Sequence, residues 1–383
     1  MRSPFLPTLA GTTLLALALG FGRFLLTPLL PLMQADAGLS LIGGGWLASI
    51  NNIGYLLGAL LCIALPLSQR TSLRFGLVGI ALGTMCMGAM PSMPLWLLCR
   101  FVSGVAAATL MVHGIAWCTA HLRAHGRVKL EAVLYCGPGI CIIVSGSLVA
   151  ALHGTPGMDS ARWWLAFGAV ASVAAALVWR IPDTPASMPA TPTTKEQVQG
   201  TGSRWPLVVV YGLYGFAYVI PAIFLPLIAD AQLHLPALRE WFWPLYGMAT
   251  VLSTLALGAL PAVRNNYAGL AGCCLSILLG IALCLCWPSR VGLALGTVLT
   301  GAAITPTVMF TMREAARLSP HNHTRLIGTL TVAFSIGQII GPLLAATLAA
   351  RLHGFAAPLE LAALAAGSAL FISLMRSGHA QGR

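Results

Sequence analysis

Two arginines, Arg23 and Arg100, and one histidine, His113, lie inside long apolar stretches of the chain. A guanidinium keeps its charge and offers a planar fork of N–H donors that matches a carboxylate. The nine aspartates and glutamates all lie near the ends of the apolar stretches or between them. A charge at this depth without an acidic partner favours an anion site, whereas a bridge to backbone carbonyls or polar side chains is the competing interpretation for Arg23.

The same stretches contain hydroxyl and amide side chains that can line a pocket. Asn51 and Tyr55 are four residues apart and therefore share one face of a helix. We predict that the substrate-binding residues are Arg23, Thr27, Asn51, Tyr55, Tyr218, Tyr246 and Gln338. Arg100 and His113 are the candidates for linkage to protons, because histidine titrates near neutral pH, and a simple bond from His113 to a backbone carbonyl is an equal alternative.

The composition places the chain in a lipid bilayer. Of the 383 residues, 58% are hydrophobic and 8% are charged, whereas soluble domains carry about a quarter charged residues. The net charge of +12 results from 21 lysines and arginines against nine acidic residues. The cations are mostly scattered at the ends of apolar stretches, which argues against a nucleic-acid partner. All ten cysteines lie inside apolar runs and are interpreted as small hydrophobic residues, so we expect no disulfide framework, metal or cofactor.

A window of about 19 residues divides the apolar stretches into twelve candidate membrane helices. The predicted spans are 7–33, 42–67, 75–93, 94–118, 131–152, 163–180, 205–229, 240–263, 268–287, 291–312, 326–350 and 356–375. The segment 181–204 is polar and rich in proline, which prevents a packed element. The prediction is therefore an all-α membrane protein with a six-helix bundle over 1–180, a cytoplasmic linker over 181–204 and a second six-helix bundle over 205–383.

Cationic residues are distributed unequally between the two sides of the membrane. With the N-terminus inside, the inner segments hold fifteen lysines and arginines, and the outer segments hold four, which are Arg162, Arg239, Arg290 and Arg351. Cytoplasmic loops carry the excess of cations. We therefore expect both termini in the cytoplasm, with the protein in the inner membrane of a bacterium.

The two halves repeat one another at an offset of 195 residues. Gly20-Phe21 matches Gly215-Phe216, Trp46 matches Trp241, and Leu30-Pro31-Leu32 matches Leu225-Pro226-Leu227. Six spans per half and an inner linker give both halves the same orientation, so an axis along the membrane normal relates them. Two bundles around a central path are typical of transporters.

Glycine and proline within the spans are expected to let helices pack closely and bend. The positions with this role are Gly137 and Pro138 in the fifth span and Gly337, Gly341 and Pro342 in the eleventh. Such positions suit the rocking of one bundle against the other.

With these spans, halves and linker, the sequence resembles the major facilitator superfamily along essentially its whole length. Arg100-Phe-Val-Ser-Gly104 is similar to the Arg-x-x-x-Gly motif of that superfamily's fourth helix. Four stretches resemble its YbfB/YjiJ branch, namely GFGRFLLTPLLP at 20–31, WLASINNIGYLLG at 46–58, GFAYVIPAIFLP at 215–226 and GQIIGP at 337–342. The resemblance implies a cavity lined by the first, fourth, seventh and tenth helices. It departs from the superfamily in the cytoplasmic loop after the second span, where Arg70 and Arg74 are present and the usual aspartate is missing.

The sequence therefore predicts a monomeric secondary transporter, and not an enzyme, that works by alternating access with proton coupling. Its expected substrate is a small organic solute that is anionic or carries a carboxylate, bound by Arg23. One alternative is a proton-driven exporter of neutral or amphiphilic compounds in which Arg23 is structural. A membrane enzyme or a sensor is a further class, but an enzyme needs catalytic groups clustered at one depth, and the linker of 24 residues is too short for an output domain.

Overall fold

A computed structural model describes residues 5–65, 68–127, 130–152, 154–180, 203–233, 240–259, 265–319 and 323–381. These ranges contain twelve helices that are long and apolar enough to cross a membrane, and no strand. In chain order, α1 to α12 are Phe5–Asp36, Leu41–Ala64, Gln69–Ala89, Met93–Ala124, Gly137–Ala151 with a short preceding helix Glu131–Leu134, Ser160–Leu177, Trp205–Leu233, Phe242–Ala259, Asn266–Cys286, Arg290–Leu318, His323–Leu352 and Ala356–Gln381. Each predicted span overlaps one helix, so the predicted fold class is confirmed. Most of the predicted linker 181–204 lies outside the described residues.

Short polar side chains fix where several helices begin. The first free N–H groups of α2, α3, α6, α9 and α10 donate hydrogen bonds to side-chain oxygens of the capping residues Ser40, Ser68, Asp159, Asn265 and Ser289. The cap at Ser68 explains why α3 begins at Gln69 and not at 75 as predicted. The helices α4 and α10 also extend beyond their predicted ends, to Ala124 and Leu318.

The first helix is irregular in its middle. Residues Ala16–Phe24 form a π-helix between two α-helical segments, and the Leu25 N–H donates to the Gly20 carbonyl, five residues back, at 2.9 Å. π-helical segments are rare and are frequently found at functional sites. Gly20 allows a close approach to α5, because a Cβ at this position would collide with Cys141. Pro28 lacks an N–H, so one carbonyl at the end of the π segment loses its backbone donor.

The predicted span 291–312 corresponds to α10, which is interrupted at one residue. It consists of two segments, Arg290–Ala302 and Ile304–Leu318. Pro306 has no N–H to give to the carbonyl of Ala302, which is the α-helical acceptor four residues earlier. The break therefore follows from one proline in the middle of the membrane.

The two halves contact each other along repeated pairs of helices, with α1 on α7, α2 on α11 and α5 on α8. Glycines make these contacts close: a Cβ on Gly45 would lie 2.7 Å from Cβ of Ala346 on α11, and one on Gly247 would lie 2.7 Å from Ile142 on α5. The predicted packing glycines Gly137 and Gly337 serve contacts within each half, whereas the Pro342 carbonyl lies against Gly45 of the other half. Gly137 lies against the Thr12 carbonyl on α1, and a Cβ on Gly337 would lie 2.5 Å from the Gly212 carbonyl on α7.

Candidate functional site

A cavity of about 330 Å³ lies between the two halves. This volume is at the small end of the range of about 300–1,000 Å³ that is usual for small-molecule sites. Its polar lining consists of Arg23, Tyr55, Tyr135, Tyr211, Tyr218, Thr250, Thr305 and Thr331. Its apolar lining consists of Leu15, Leu19, Phe24, Met111, Ile115, Pro138, Ile142, Ile304, Val308, Met312 and Phe334. Besides α1, α4, α7 and α10, which the resemblance implied, residues of α2, α8 and α11 and of the segment around α5 take part.

The Arg23 guanidinium is the one charged group among the described residues that line this cavity. Its Nη2 atom donates to the Tyr218 hydroxyl at 3.3 Å. Its Cζ atom lies 5.6 Å from the centre of the Tyr55 ring and 5.8 Å from that of Phe24. Aromatic faces at this range attract a cation without neutralising it, so most of the N–H donors of Arg23 stay available to a ligand.

The Tyr218 hydroxyl oxygen accepts two hydrogen bonds, one from Arg23 and one from the buried Gln338 side chain. A phenol that accepts twice still carries its own proton and can donate it. The ring is held by stacking on Tyr214 and Phe334, with ring centres 5.7 Å and 5.6 Å away. The deep end of the cavity is therefore a fixed group of hydrogen-bond donors without a carboxylate among the described lining residues.

Arg100 does not line the cavity but lies behind Arg23, with 2% of its surface exposed. Its Nη1 and Nη2 atoms donate to the carbonyls of Gly22 and Arg23 at 3.1 Å and 3.0 Å. Asn51 also donates to the Gly22 carbonyl, at 2.9 Å, and to the Arg100 carbonyl, at 2.8 Å. These two residues bind backbone carbonyls at the end of the π segment, so they hold the backbone of Arg23 in place.

His113 lies outside the cavity lining, between α2 and α4. Its Nδ1 atom is 3.1 Å from the Thr109 carbonyl oxygen, four residues earlier, and 3.9 Å from the Cys62 sulfur. A ring nitrogen this close to a carbonyl carries the proton. This geometry matches the alternative in which His113 simply donates to a backbone carbonyl.

The remaining predicted binding residues lie around the cavity and not in its wall. Thr27 donates to the Ala222 carbonyl at 3.0 Å and so joins α1 to α7. Tyr246 is fully buried and stacks on Trp243, with ring centres 5.1 Å apart, and Phe24 packs edge-on against Trp243. Of the predicted site, the structure brings Arg23, Tyr55, Tyr218 and Pro138 together in the wall, with Gln338 directly behind Tyr218.

Five polar wall residues, Tyr135, Tyr211, Thr250, Thr305 and Thr331, were not predicted as contacts. The internal repeat contains a signal for one of them, because Thr250 lies 195 residues after Tyr55. The same offset separates Arg23 from Tyr218 and Thr27 from Ala222, which contact each other directly. Equivalent positions of α1 and α7 therefore meet between the halves.

The cavity lies toward the side of the molecule where both ends of the described chain are found. On the opposite side, contacts between the two six-helix bundles close the structure. Ser49 donates to the Ile339 carbonyl at 2.7 Å, and Asn52 donates to the Gln338 carbonyl at 2.7 Å. Next to them, Gly45 packs against the Pro342 carbonyl. Thr27 and Ala222 extend this closure to α1 and α7.

The arginines of the α2–α3 loop region lie on the outside of the protein. Arg74 stacks over the Trp179 ring at 5.1 Å, and Arg70 is exposed. At this end of α3, Gln69 donates to the His113 carbonyl on α4 at 3.1 Å. Over the described ranges, no group of three histidine, cysteine or acidic side chains is placed to hold a metal ion.

Twelve membrane helices, the repeated contacts between halves and a central cavity define a transporter of the major facilitator superfamily. The sequence model of the family described as "Uncharacterised MFS-type transporter YbfB" matches residues 15–374, so the chain belongs to this family. The predicted resemblance is thereby confirmed.

Two curated relatives match over parts of the chain. The uncharacterized MFS-type transporter YceJ of Bacillus subtilis (strain 168) is 38% identical over 92 residues, which are 24% of this chain and 24% of that protein. The chloramphenicol resistance protein of Streptomyces lividans is 27% identical over 154 residues, 40% of this chain and 37% of that protein. The chain thus matches well under two thirds of the length of either relative.

Solved structures share the fold over nearly the whole chain. The nucleoside transporter NupG has a TM-score of 0.74 at 13% identity, covering 96% of this chain and 98% of that one. The human organic anion transporter MFSD10 (TETRAN) has 0.67 at 17%, covering 97% and 100%. A bacterial homolog of the human lysosomal transporter Spinster, in an inward-facing and unoccupied conformation, has 0.66 at 13%, covering 98% and 95%. Identities this low establish the fold alone.

Proposed function

We propose that this protein is a proton-coupled secondary transporter of a small organic anion with an apolar body, working by alternating access in the bacterial inner membrane. The observation that carries the proposal is the Arg23 guanidinium, the single charge among the described residues that line the cavity. Transferring an arginine to the middle of a membrane costs about 2.5–3.5 kcal/mol on insertion scales. A ligand anion supplies the missing opposite charge.

The chemistry of the cavity wall supports an anion with one charged end. Arg23 and the Tyr218 hydroxyl both donate at the deep end, beside Tyr55. Toward the side of the molecule with the chain ends, the cavity wall is made of apolar side chains such as Met111, Ile115 and Met312. A carboxylate at Arg23 with a hydrocarbon or aromatic body directed toward Met312 satisfies both parts, whereas a second charge on the body would meet no partner there.

The closure on one side of the molecule supports alternating access. In this state the cavity is open toward the chain ends, which we place in the cytoplasm. The closure rests on a few neutral hydrogen bonds, from Ser49, Asn52 and Thr27, and on close glycine contacts. A neutral hydrogen bond contributes about 0.5–1.5 kcal/mol net. Contacts of this strength can break and re-form during each transport cycle.

Transport by the reconstituted protein tests the anion site. We expect Arg23→Gln to lower the flux of monocarboxylates with apolar bodies at least about tenfold, because it removes a charge-assisted hydrogen bond worth about 1.5–3 kcal/mol. Arg23→Lys keeps the charge without the planar fork, so its flux should lie between those of the wild type and Arg23→Gln. The control is Arg127→Gln, which removes an exposed arginine outside the cavity. The proposal fails if Arg23→Gln transports every organic anion as the wild type does.

Export of neutral or amphiphilic compounds is the second candidate, favoured by the partial match to the chloramphenicol resistance protein. The aromatic and aliphatic cavity wall suits such compounds too. In that case cells that produce the protein should tolerate chloramphenicol or similar drugs better, and Arg23→Gln should leave the tolerance unchanged. Loss of tolerance in Arg23→Gln would instead indicate that Arg23 takes part in binding neutral compounds.

A further inference from the structure

A groove of about 380 Å³ runs along the outer surface between α3 and α6, away from the central cavity. Its walls are aliphatic, with Leu77 and Leu82 from α3 opposite Ala175 and Ala176 from α6. The Ser172 hydroxyl in the wall donates to the Gly168 carbonyl at 2.8 Å, so it does not need a partner from the groove. The small alanines make the groove deep enough for a hydrocarbon chain.

One end of this groove carries positive charge. Trp179 and Arg180 line it where α6 ends, and Arg74 stacks over the Trp179 ring at 5.1 Å. The N-terminus of α3, which begins at Gln69, lies at the same end and adds a partial positive charge. No acidic side chain is among the described residues that line the groove.

Arginines at a membrane surface commonly extend toward water by themselves. Here Arg74 instead lies over the Trp179 ring, and Trp179 and Arg180 both line the apolar groove on the outer surface. Basic pockets between membrane helices match the headgroups of anionic lipids, and two guanidinium groups offer the N–H geometry that phosphate oxygens accept. An indole at this level is also the usual anchor at the boundary between headgroups and hydrocarbon.

We propose that this groove binds one anionic phospholipid, with its phosphate held by Arg74 and Arg180 and one acyl chain lying between α3 and α6. The complex holds the loop end of α3 to the end of α6, on the far side of these helices from the transport cavity. The site is independent of the transported substrate. It predicts that the protein prefers an anionic lipid to a zwitterionic lipid with the same acyl chains.

Native mass spectrometry of the detergent-purified protein with phosphatidylglycerol or phosphatidylcholine of identical chains tests this site. The wild type should retain one phosphatidylglycerol in preference. Arg74→Gln combined with Arg180→Gln should weaken its binding about thirtyfold, since each cation near anionic lipid contributes about fivefold. Arg74→Lys combined with Arg180→Lys should retain most of the preference. Arg127→Gln, an exposed arginine in another loop, is the matched control and should bind as the wild type does.

Ala176→Phe tests the binding of the acyl chain, because the phenylalanine ring would fill the groove. The substitution changes no charge. We expect this variant to lose phosphatidylglycerol while its helical circular dichroism stays that of the wild type. Wild-type binding by Ala176→Phe or by the double glutamine variant would overturn the proposal. Glycerol phosphate competing as strongly as phosphatidylglycerol would also overturn it, because the site would then be one for a free phosphate. Should the double glutamine variant fail to fold, the comparison of Ala176→Phe with the wild type decides.

Discussion

At the scale of single residues, the site combines the Arg23 charge with the Tyr218 hydroxyl group, which is fixed by a hydrogen bond from outside the cavity. Gln338 donates to the Tyr218 oxygen from the protein side and Arg23 donates to it from the cavity side. The hydroxyl proton is thereby left for the ligand. Tyr218 thus acts both as a hydrogen-bond acceptor that orients Arg23 and as a donor at the deep end of the cavity.

Tyr218→Phe separates the hydroxyl from the ring. We expect the apparent affinity for the transported anion to fall about three- to thirtyfold, because one donor is lost and the buried Gln338 amide is left without its acceptor. The concentration dependence of initial uptake into proteoliposomes measures this. Tyr211→Phe is the control, since Tyr211 also lines the cavity and stacks on Phe334 but is not bonded to Arg23. Equal losses in both variants would contradict a special role for the Tyr218 hydroxyl.

From the sequence, Arg23, Asn51 and Thr27 were all predicted to contact the substrate. In the structure Arg23 lines the cavity, whereas Asn51 and Thr27 donate to backbone carbonyls outside its wall. Burial depth is readable from sequence, because it follows from counting residues along a helix. The direction of a side chain around the helix is less readable at an irregular segment. A π-helix changes the angle between successive residues, so the positions that face the cavity after Ala16 cannot be taken from an α-helical pattern.

At the scale of the helices, the π segment of α1 depends on close contact with α5. Gly20→Ala places a methyl group against Cys141 and should lower the free energy of unfolding by about 1–3 kcal/mol, the usual cost of overpacking. The melting temperature of the purified protein measures the change. Adding Cys141→Gly removes the colliding Cβ and should restore part of the loss.

Gly272→Ala is the matched control for this substitution. Gly272 also lies in a membrane helix, and a Cβ there would meet nothing within 4 Å. Alanine at that site should leave the melting temperature unchanged or raise it slightly, since it disfavours the unfolded chain. A loss in Gly272→Ala as large as in Gly20→Ala would show that steric contact with α5 is not the cause.

The helices themselves were largely predictable, because a bilayer demands long apolar segments with satisfied backbone groups. The differences in detail arise at local features. The cap at Ser68 starts α3 earlier than predicted, and Pro306 interrupts α10 at a depth where hydropathy changes little. The missing N–H of this proline is readable from the sequence, whereas the cap acts only once the helix has formed.

At the scale of the whole molecule, the side opposite the chain ends is closed by contacts between α2 of one bundle and α11 of the other. We predict that Gly45→Trp forces these helices apart, since a Cβ at Gly45 already lies 2.7 Å from Cβ of Ala346. A cysteine introduced at the buried position Ser49 reports the opening by its reaction with a membrane-impermeant maleimide. In the closed protein this cysteine should react slowly, and with Gly45→Trp its reaction should be faster at least about tenfold.

Cys62, Cys86 and Cys286 are not fully buried and are first replaced by serine for this experiment. Gly43→Trp is the control, because the atoms nearest to a Cβ at Gly43 belong to Leu39, Ser40 and Met93, none of which belongs to α11. If Gly43→Trp and Gly45→Trp expose the cysteine equally, general loosening explains the labelling. If neither exposes it, the contact between α2 and α11 does not control access.

The contact between Arg23 and Tyr218, 195 residues apart, also bears on how such a chain could have arisen. In a protein assembled from two identical halves, this position would face its own copy, and two arginines at one depth would repel each other. A single charge at this contact therefore requires the two equivalent positions to carry different residues. Because both halves belong to one chain, the two positions can differ, and here one supplies the charge and the other its hydroxyl partner.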